Sequence, residues 1–188
     1  MGLARKSLKF AFGSAIGLSV LCCGGTGLVG VFLPGEVALS AEEVVAAPPD
    51  RLFDPLDDAE GIARWWAVAL ADQGEAGMAV AAVPGSPVAG VGTQVAFTAG
   101  GVEMERWTIL ELVPPKKAVY EVDFKLMKVT RTITLVPEGL GTRLTWSERG
   151  TIGNPWMRFL SLGGGHEDVI QRFHRAMAAL GKAGAEPQ

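Results

Sequence analysis

Arg131 and Glu148 are the ionisable residues whose spacing can do chemistry inside this protein. In 128–136, alternation puts Val129, Ile133 and Leu135 on one face, and the same parity carries Arg131. In 142–149, Leu144 and Trp146 share a face with Glu148. If Leu135 lies opposite Leu144 in an antiparallel pair, Ile133 meets Trp146 and Arg131 meets Glu148. A guanidinium and a carboxylate so placed can hold the carboxylate, phosphate or carbonyl head of an otherwise apolar ligand, or satisfy one another as an ion pair at the rim of the sheet. In 118–126, Tyr120, Val122, Phe124 and Leu126 alternate with Glu121, Asp123 and Lys125 and are read as facing inward. Tyr120 and Phe124 therefore join Arg131, Ile133, Trp146 and Glu148 as candidate ligand-binding residues, and Trp107, from a strand whose inward face the pattern does not assign, is added to them, the aromatic ones serving equally as core.

Nothing else in the chain makes a catalytic motif. Ser147 has no histidine beside it in sequence, and His166 and His174 stand too far apart in the last predicted helix for a His-x-x-x-His metal pair. The two cysteines, Cys22 and Cys23, both lie in an uncharged N-terminal run, so the rest of the chain has neither disulfide nor thiol ligand. Glu103 and Glu105 read as solvated carboxylates near a strand start. Asp57-Asp58 reads as a turn or helix cap, and Lys116-Lys117 as a solvated hairpin tip. No catalytic residue, metal or cofactor is expected, and the balance leans away from an enzyme.

The elements that position these residues begin after a membrane segment. Phe10 to Leu33 carry no charge, Arg5, Lys6 and Lys9 precede them, and no basic residue follows until Arg51. As a helix this run is about 36 Å long, enough to cross a hydrocarbon core of roughly 30 Å. The flanking charges place residues 1–9 in the cytoplasm and the remainder on the extracytoplasmic side of what is read as a bacterial inner membrane. A cleavage site before Ala41 is the alternative, but the apolar run exceeds the roughly 7 to 15 residues of a signal peptide. Gly13 and Gly17 form one small-xxx-small pair. All 20 acidic residues but only 14 of the 17 basic ones lie beyond Leu33, which argues against a nucleic-acid partner.

A first strand is expected over 36–46, and Pro48-Pro49-Asp50 opens short helices over 49–56 and 59–66, separated at Pro55 and Gly61. Residues 67–92 read as loops around one strand at 78–82. Strands follow at 93–99, 102–113, 118–126, 128–136 and 142–149, joined by Gly100-Gly101, Pro114-Pro115-Lys116-Lys117 and 137–141, which favours an antiparallel meander. After Gly163-Gly164-Gly165 comes an amphipathic helix on which Val169, Ile170, Phe173, Met177 and Leu180 recur at helical spacing. Residues 183–188 read as a disordered tail.

Several phrases in this order resemble the SRPBCC superfamily, the helix-grip proteins related to START, Bet v 1 and polyketide cyclases. They are 47–53 at the entry to the helices, Arg64-Trp65-Trp66, Gly90-Val91-Gly92-Thr93, 113–120 and Gly141-Thr142-Arg143-Leu144-Thr145-Trp146. The chain departs from that pattern at Pro55 and at the tight Met127-Lys128 connection. The resemblance implies an α+β helix-grip fold over 36–182, with a curved antiparallel sheet of about seven strands wrapped around a long C-terminal helix, here preceded by a transmembrane helix. It also implies an apolar cavity whose mouth is formed by loops. Relatives bind lipids, sterols, polyketides or plant hormones, and a minority catalyse cyclisation or dehydration. The expectation is a membrane-anchored domain that binds or transports an apolar or amphipathic, lipid-like molecule. A cyclase or dehydratase and a ligand-free interaction domain are the alternatives.

Overall fold

The computed structural model describes residue 32 and residues 35–72, 77–155, 158 and 165–185. Apart from Phe32, the uncharged run at 10–33 lies outside them, as do the basic residues before it, both cysteines and most of 156–164. No helix among the described residues is long and apolar enough to cross a membrane. The chain divides into two units, one of residues 1–35 with 152–163 and the other of 36–151 with 164–188. In the first, Ile152 N–H donates to the Gly35 carbonyl at 2.6 Å and Arg158 Nε to the Ile152 carbonyl at 2.7 Å.

The second unit is a seven-stranded antiparallel sheet in the order β1-β7-β6-β5-β4-β3-β2, with helices against its inner face. Its strands are β1 (Glu36–Val45), β2 (Met78–Ala82), β3 (Gln94–Ala99), β4 (Val102–Val113), β5 (Lys117–Asp123), β6 (Lys128–Glu138) and β7 (Gly141–Thr151). The helices are α1 (Pro49–Phe53), which runs into a 3-10 turn at Asp54–Leu56, then α2 (Ala59–Asp72) and α3 (Gly165–Ala185). Strands β3 to β7 form the expected meander, and β1 closes onto β7.

Local chemistry explains these elements. The β3–β4 hairpin turns on Gly100 (φ 57°) and Gly101 (φ 79°), the two positive-φ positions that a tight hairpin of this hand requires. Pro55 forces the tighter 3-10 turn between α1 and α2. Asp58 caps α2, its Oδ1 accepting from Gly61 N–H at 2.5 Å, as the Asp57-Asp58 pair suggested. Register breaks at Phe97/Thr98 and at Ile109/Glu111 insert bulges on either side of β4, which bend the sheet.

Three expected boundaries move. Helix α2 continues six residues past Trp66 to Asp72, because Ala69 and Leu70 extend its buried face; an alanine-rich run has little hydrophobic period but strong helical preference. Strand β5 stops at Asp123, and Lys125 (φ 66°) turns the chain there, its N–H bonding Asp123 Oδ1 at 2.7 Å. Leu126 is consequently 63 % exposed rather than inward, while Phe124 stays partly buried against the core. The tail from 183 is helical to Ala185, since Gly184 lies so close to Leu52 of α1 that a Cβ there would stand 2.9 Å from the leucine Cδ2. Residues 186–188 lie outside the described residues.

Candidate functional site

The inner face of β4 to β7 meets α2 and α3 in a cluster of rings. Trp65 and Trp66 of α2, Phe97 of β3, Trp107 of β4, Tyr120 of β5, Trp146 of β7 and Phe173 of α3 are all buried. Most of their contacts are edge-on or tilted, with centroids 5.3 Å apart for Trp66–Trp107, 6.0 Å for Trp65–Trp146 and 5.0 Å for Phe97–Trp107, and Trp146 stacks on Phe173 at 5.3 Å. Arrangements of this kind contribute about 0.5–1.5 kcal/mol per pair beyond area burial.

One ion pair sits within this apolar layer. The β6–β7 register places Leu135 opposite Leu144, Ile133 opposite Trp146 and Arg131 opposite Glu148, as the alternation of the two strands predicts. Arg131 is 4 % exposed and Glu148 6 %. Arg131 Nε donates to Glu148 Oε1 at 2.5 Å, and Nη2 binds the same oxygen. Trp146 Nε1 approaches that oxygen at 3.4 Å. The guanidinium carbon lies 4.0 Å from the Trp107 ring centroid and 4.8 Å from that of Trp146, so two aromatic faces shield the cation. The pair is thus buried in the inner face rather than at a hydrated rim.

Glu105 is the residue that sequence reasoning misplaced. It shares the inward parity of Trp107 and Ile109 on β4, and its Oε1 accepts the Trp107 indole N–H at 3.1 Å. Part of its surface still meets solvent, but protein surrounds most of the carboxyl group, and this burial raises its pKa above the usual carboxylate range. Arg131, the indole N–H and Arg172 of α3 oppose that rise, and Glu148 adds to it. The Glu-x-Trp-x-Ile alternation carried the signal. Glu103 behaves as expected of a surface carboxylate, paired with Arg106 Nη2 at 2.8 Å.

The other expected site residues separate by role. Ile133 and Tyr120 are fully buried, but the Tyr120 hydroxyl is committed to structure, donating to the Leu56 carbonyl at 2.7 Å. Its burial pushes the phenol pKa far above the ordinary value. His174 is exposed on α3, 3.6 Å from Glu43, and Lys117 pairs with Glu111 at the surface. No group of three or more metal-ligating side chains occurs among the described residues.

A curved sheet gripping a C-terminal helix over an aromatic interior defines the helix-grip class of α+β folds. Residues 36–184 match the family described as polyketide cyclase / dehydrase and lipid transport, and the chain belongs to it. Among solved structures it is similar to protein CV1439 from Chromobacterium violaceum, at 21% identity and a TM-score of 0.59, over 80% of this chain and 98% of that one. Ara h 8.0201 superposes with a TM-score of 0.56 at 18% identity, over 80% and 98% of the two chains. Major latex-like protein 151 from Panax ginseng does so at 0.58 and 11%, over 81% and 99%. These likenesses extend to the fold. No curated protein matches the chain significantly.

Proposed function

We propose that this protein is a membrane-tethered domain that holds an apolar or amphipathic, lipid-like molecule between its sheet and helices. The observation that carries the reading is the inner face itself, where a layer of aromatic and aliphatic side chains surrounds the buried Arg131–Glu148 pair in a family whose description includes lipid transport. The uncharged run at 10–33, read as a transmembrane anchor on the extracytoplasmic side of a bacterial-type inner membrane, supports a task at the bilayer, because tethering raises the domain's effective concentration there. Exposed Leu126, Val102 and Met104 lie at the end of the sheet where β1 begins.

A purified chain beginning at Glu36 tests the reading. Ligand that binds only the folded state adds RT ln(1 + [L]/Kd), about 2.7 kcal/mol at a hundredfold excess over Kd, so long-chain lipids should raise the melting temperature measurably. Absence of any shift across fatty acids, phospholipids and neutral lipids would remove the carrier reading.

A cyclase or dehydratase is the second reading, favoured by Glu105, a carboxyl of raised pKa close enough to feel the Arg131 charge. Glu148 is the weaker choice for acid-base work because one of its oxygens is occupied by Arg131. Mass spectrometry of a co-purified ligand before and after incubation separates the readings: a carrier returns it unchanged.

A further inference from the structure

The buried polar atoms of the inner face are unbalanced. Arg131 Nη1 and the indole N–H groups of Trp65 and Trp66 are shut off from solvent, and none has a hydrogen-bond partner among the described residues. All three side chains pack against Trp107, the guanidinium carbon 4.0 Å from its ring centroid and the rings of Trp65 and Trp66 at 6.4 and 5.3 Å. One oxygen of each nearby carboxylate is engaged elsewhere. Glu148 Oε1 takes Arg131 Nε and Nη2, and Glu105 Oε1 takes the Trp107 indole. Buried donors without acceptors are rare because each forfeits the hydrogen bond it made to water, and three on one ring cluster call for an acceptor that the described residues do not supply.

Charge decides what kind of acceptor fits. The Arg131 cation is already matched by Glu148 in direct contact, and Glu105 is a second acidic group within electrostatic reach. A carboxylate or phosphate brought into this layer would lose its hydration beside two acidic side chains, with the Arg131 guanidinium already compensated. A neutral carbonyl brings lone pairs without that penalty.

We propose that the site, on the carrier reading above, selects a neutral lipophilic molecule carrying a ketone or ester carbonyl, whose oxygen accepts from Arg131 Nη1 while its hydrocarbon part lies among the rings.

The test uses the full chain in phospholipid nanodiscs and three probes of equal length: 2-undecanone carrying a 13C carbonyl, undecanoate and undecane. Binding is followed by quenching of intrinsic tryptophan fluorescence at pH 7.5, each affinity being corrected for the probe's partitioning into empty nanodiscs. The ketone should bind at least tenfold more tightly than undecanoate, and its isotope-resolved C=O stretch should move to lower frequency on binding. In Arg131→Met/Glu148→Leu, which replaces both charges of the pair with apolar side chains, the ketone should fall to the affinity of undecane and the frequency shift should vanish. Undecanoate binding as tightly as the ketone would overturn the neutral-carbonyl inference and leave the carrier reading standing. A bound ketone without a frequency shift, or one whose shift survives in the double variant, would overturn it in the same way. If none of the three probes binds, both the inference and the carrier reading fall.

Discussion

At the scale of single residues, the buried Arg131–Glu148 pair makes a sharp energetic prediction. Removing one partner leaves the other charge desolvated and alone, at a cost of about 3–5 kcal/mol, whereas replacing both with apolar side chains of similar size is close to neutral. Urea unfolding should therefore find Arg131→Met and Glu148→Leu each far less stable than the double variant. Single variants within about 1 kcal/mol of the parent would mean a solvated pair. Glu105 makes a prediction of opposite electrostatic sense. Its pKa is raised in the folded state, chiefly by burial, so between the ordinary carboxylate value and the folded one the native protein binds more protons than the unfolded chain. Stability from this group is present below the unfolded pKa and lost as pH rises through the folded one. Glu105→Gln, which keeps an oxygen to accept from Trp107, should gain stability relative to the parent as pH goes from 4.5 to 7.5, measured by urea midpoints. A constant difference across that range would show that Glu105 titrates as an ordinary carboxylate.

At the scale of elements, the sheet and the helical hairpin are tied by one buried hydrogen bond, from the Tyr120 hydroxyl on β5 to the Leu56 carbonyl at the end of the 3-10 turn. Tyr120→Phe keeps the ring but strands a buried acceptor, so it should cost about 1–3 kcal/mol in the same unfolding measurement. An unchanged midpoint would indicate that water replaces the hydroxyl. The 3-10 turn also meets α2 tightly, since a Cβ on Gly61 would stand 2.7 Å from Pro55 Cα. Pro55 and Gly61, which in the sequence look only like helix breakers, are therefore matched surfaces of one corner. Thr142 performs a related task on β7, its buried hydroxyl donating to the Ala47 carbonyl at 2.7 Å where the chain leaves β1 for α1.

For the whole molecule, the decisive question is where it resides. The full chain should stay with membranes through alkaline carbonate washing, and a chain beginning at Glu36 should remain in solution and folded, since residues 36–151 and 164–188 form a compact unit of their own. Release of the full chain by carbonate, or recovery of a mature protein starting at Ala41, would remove the anchor. Phase and punctuation made most of the domain legible without coordinates. The seven strands, the meander, the last helix and the β6–β7 register all follow from a period of two against a period of 3.6, with Gly and Pro marking the turns. Those signals are local, each carried by neighbours in the chain. The length of α2, the exposure of Leu126 and the helical tail escaped them because an alanine-rich run has no phase, a single αL residue ends a strand without changing its pattern, and a Gly-Ala tail is ordered only by what it touches. The site divides the same way. Alternation alone put Arg131 opposite Glu148, because strand parity and register are one-dimensional properties. That the pair is buried, that Glu105 belongs beside it and that Trp65, Trp66 and Arg131 Nη1 have no acceptor among the described residues was decided only by tertiary packing, since burial and hydrogen-bond satisfaction depend on atoms supplied by segments far away in sequence.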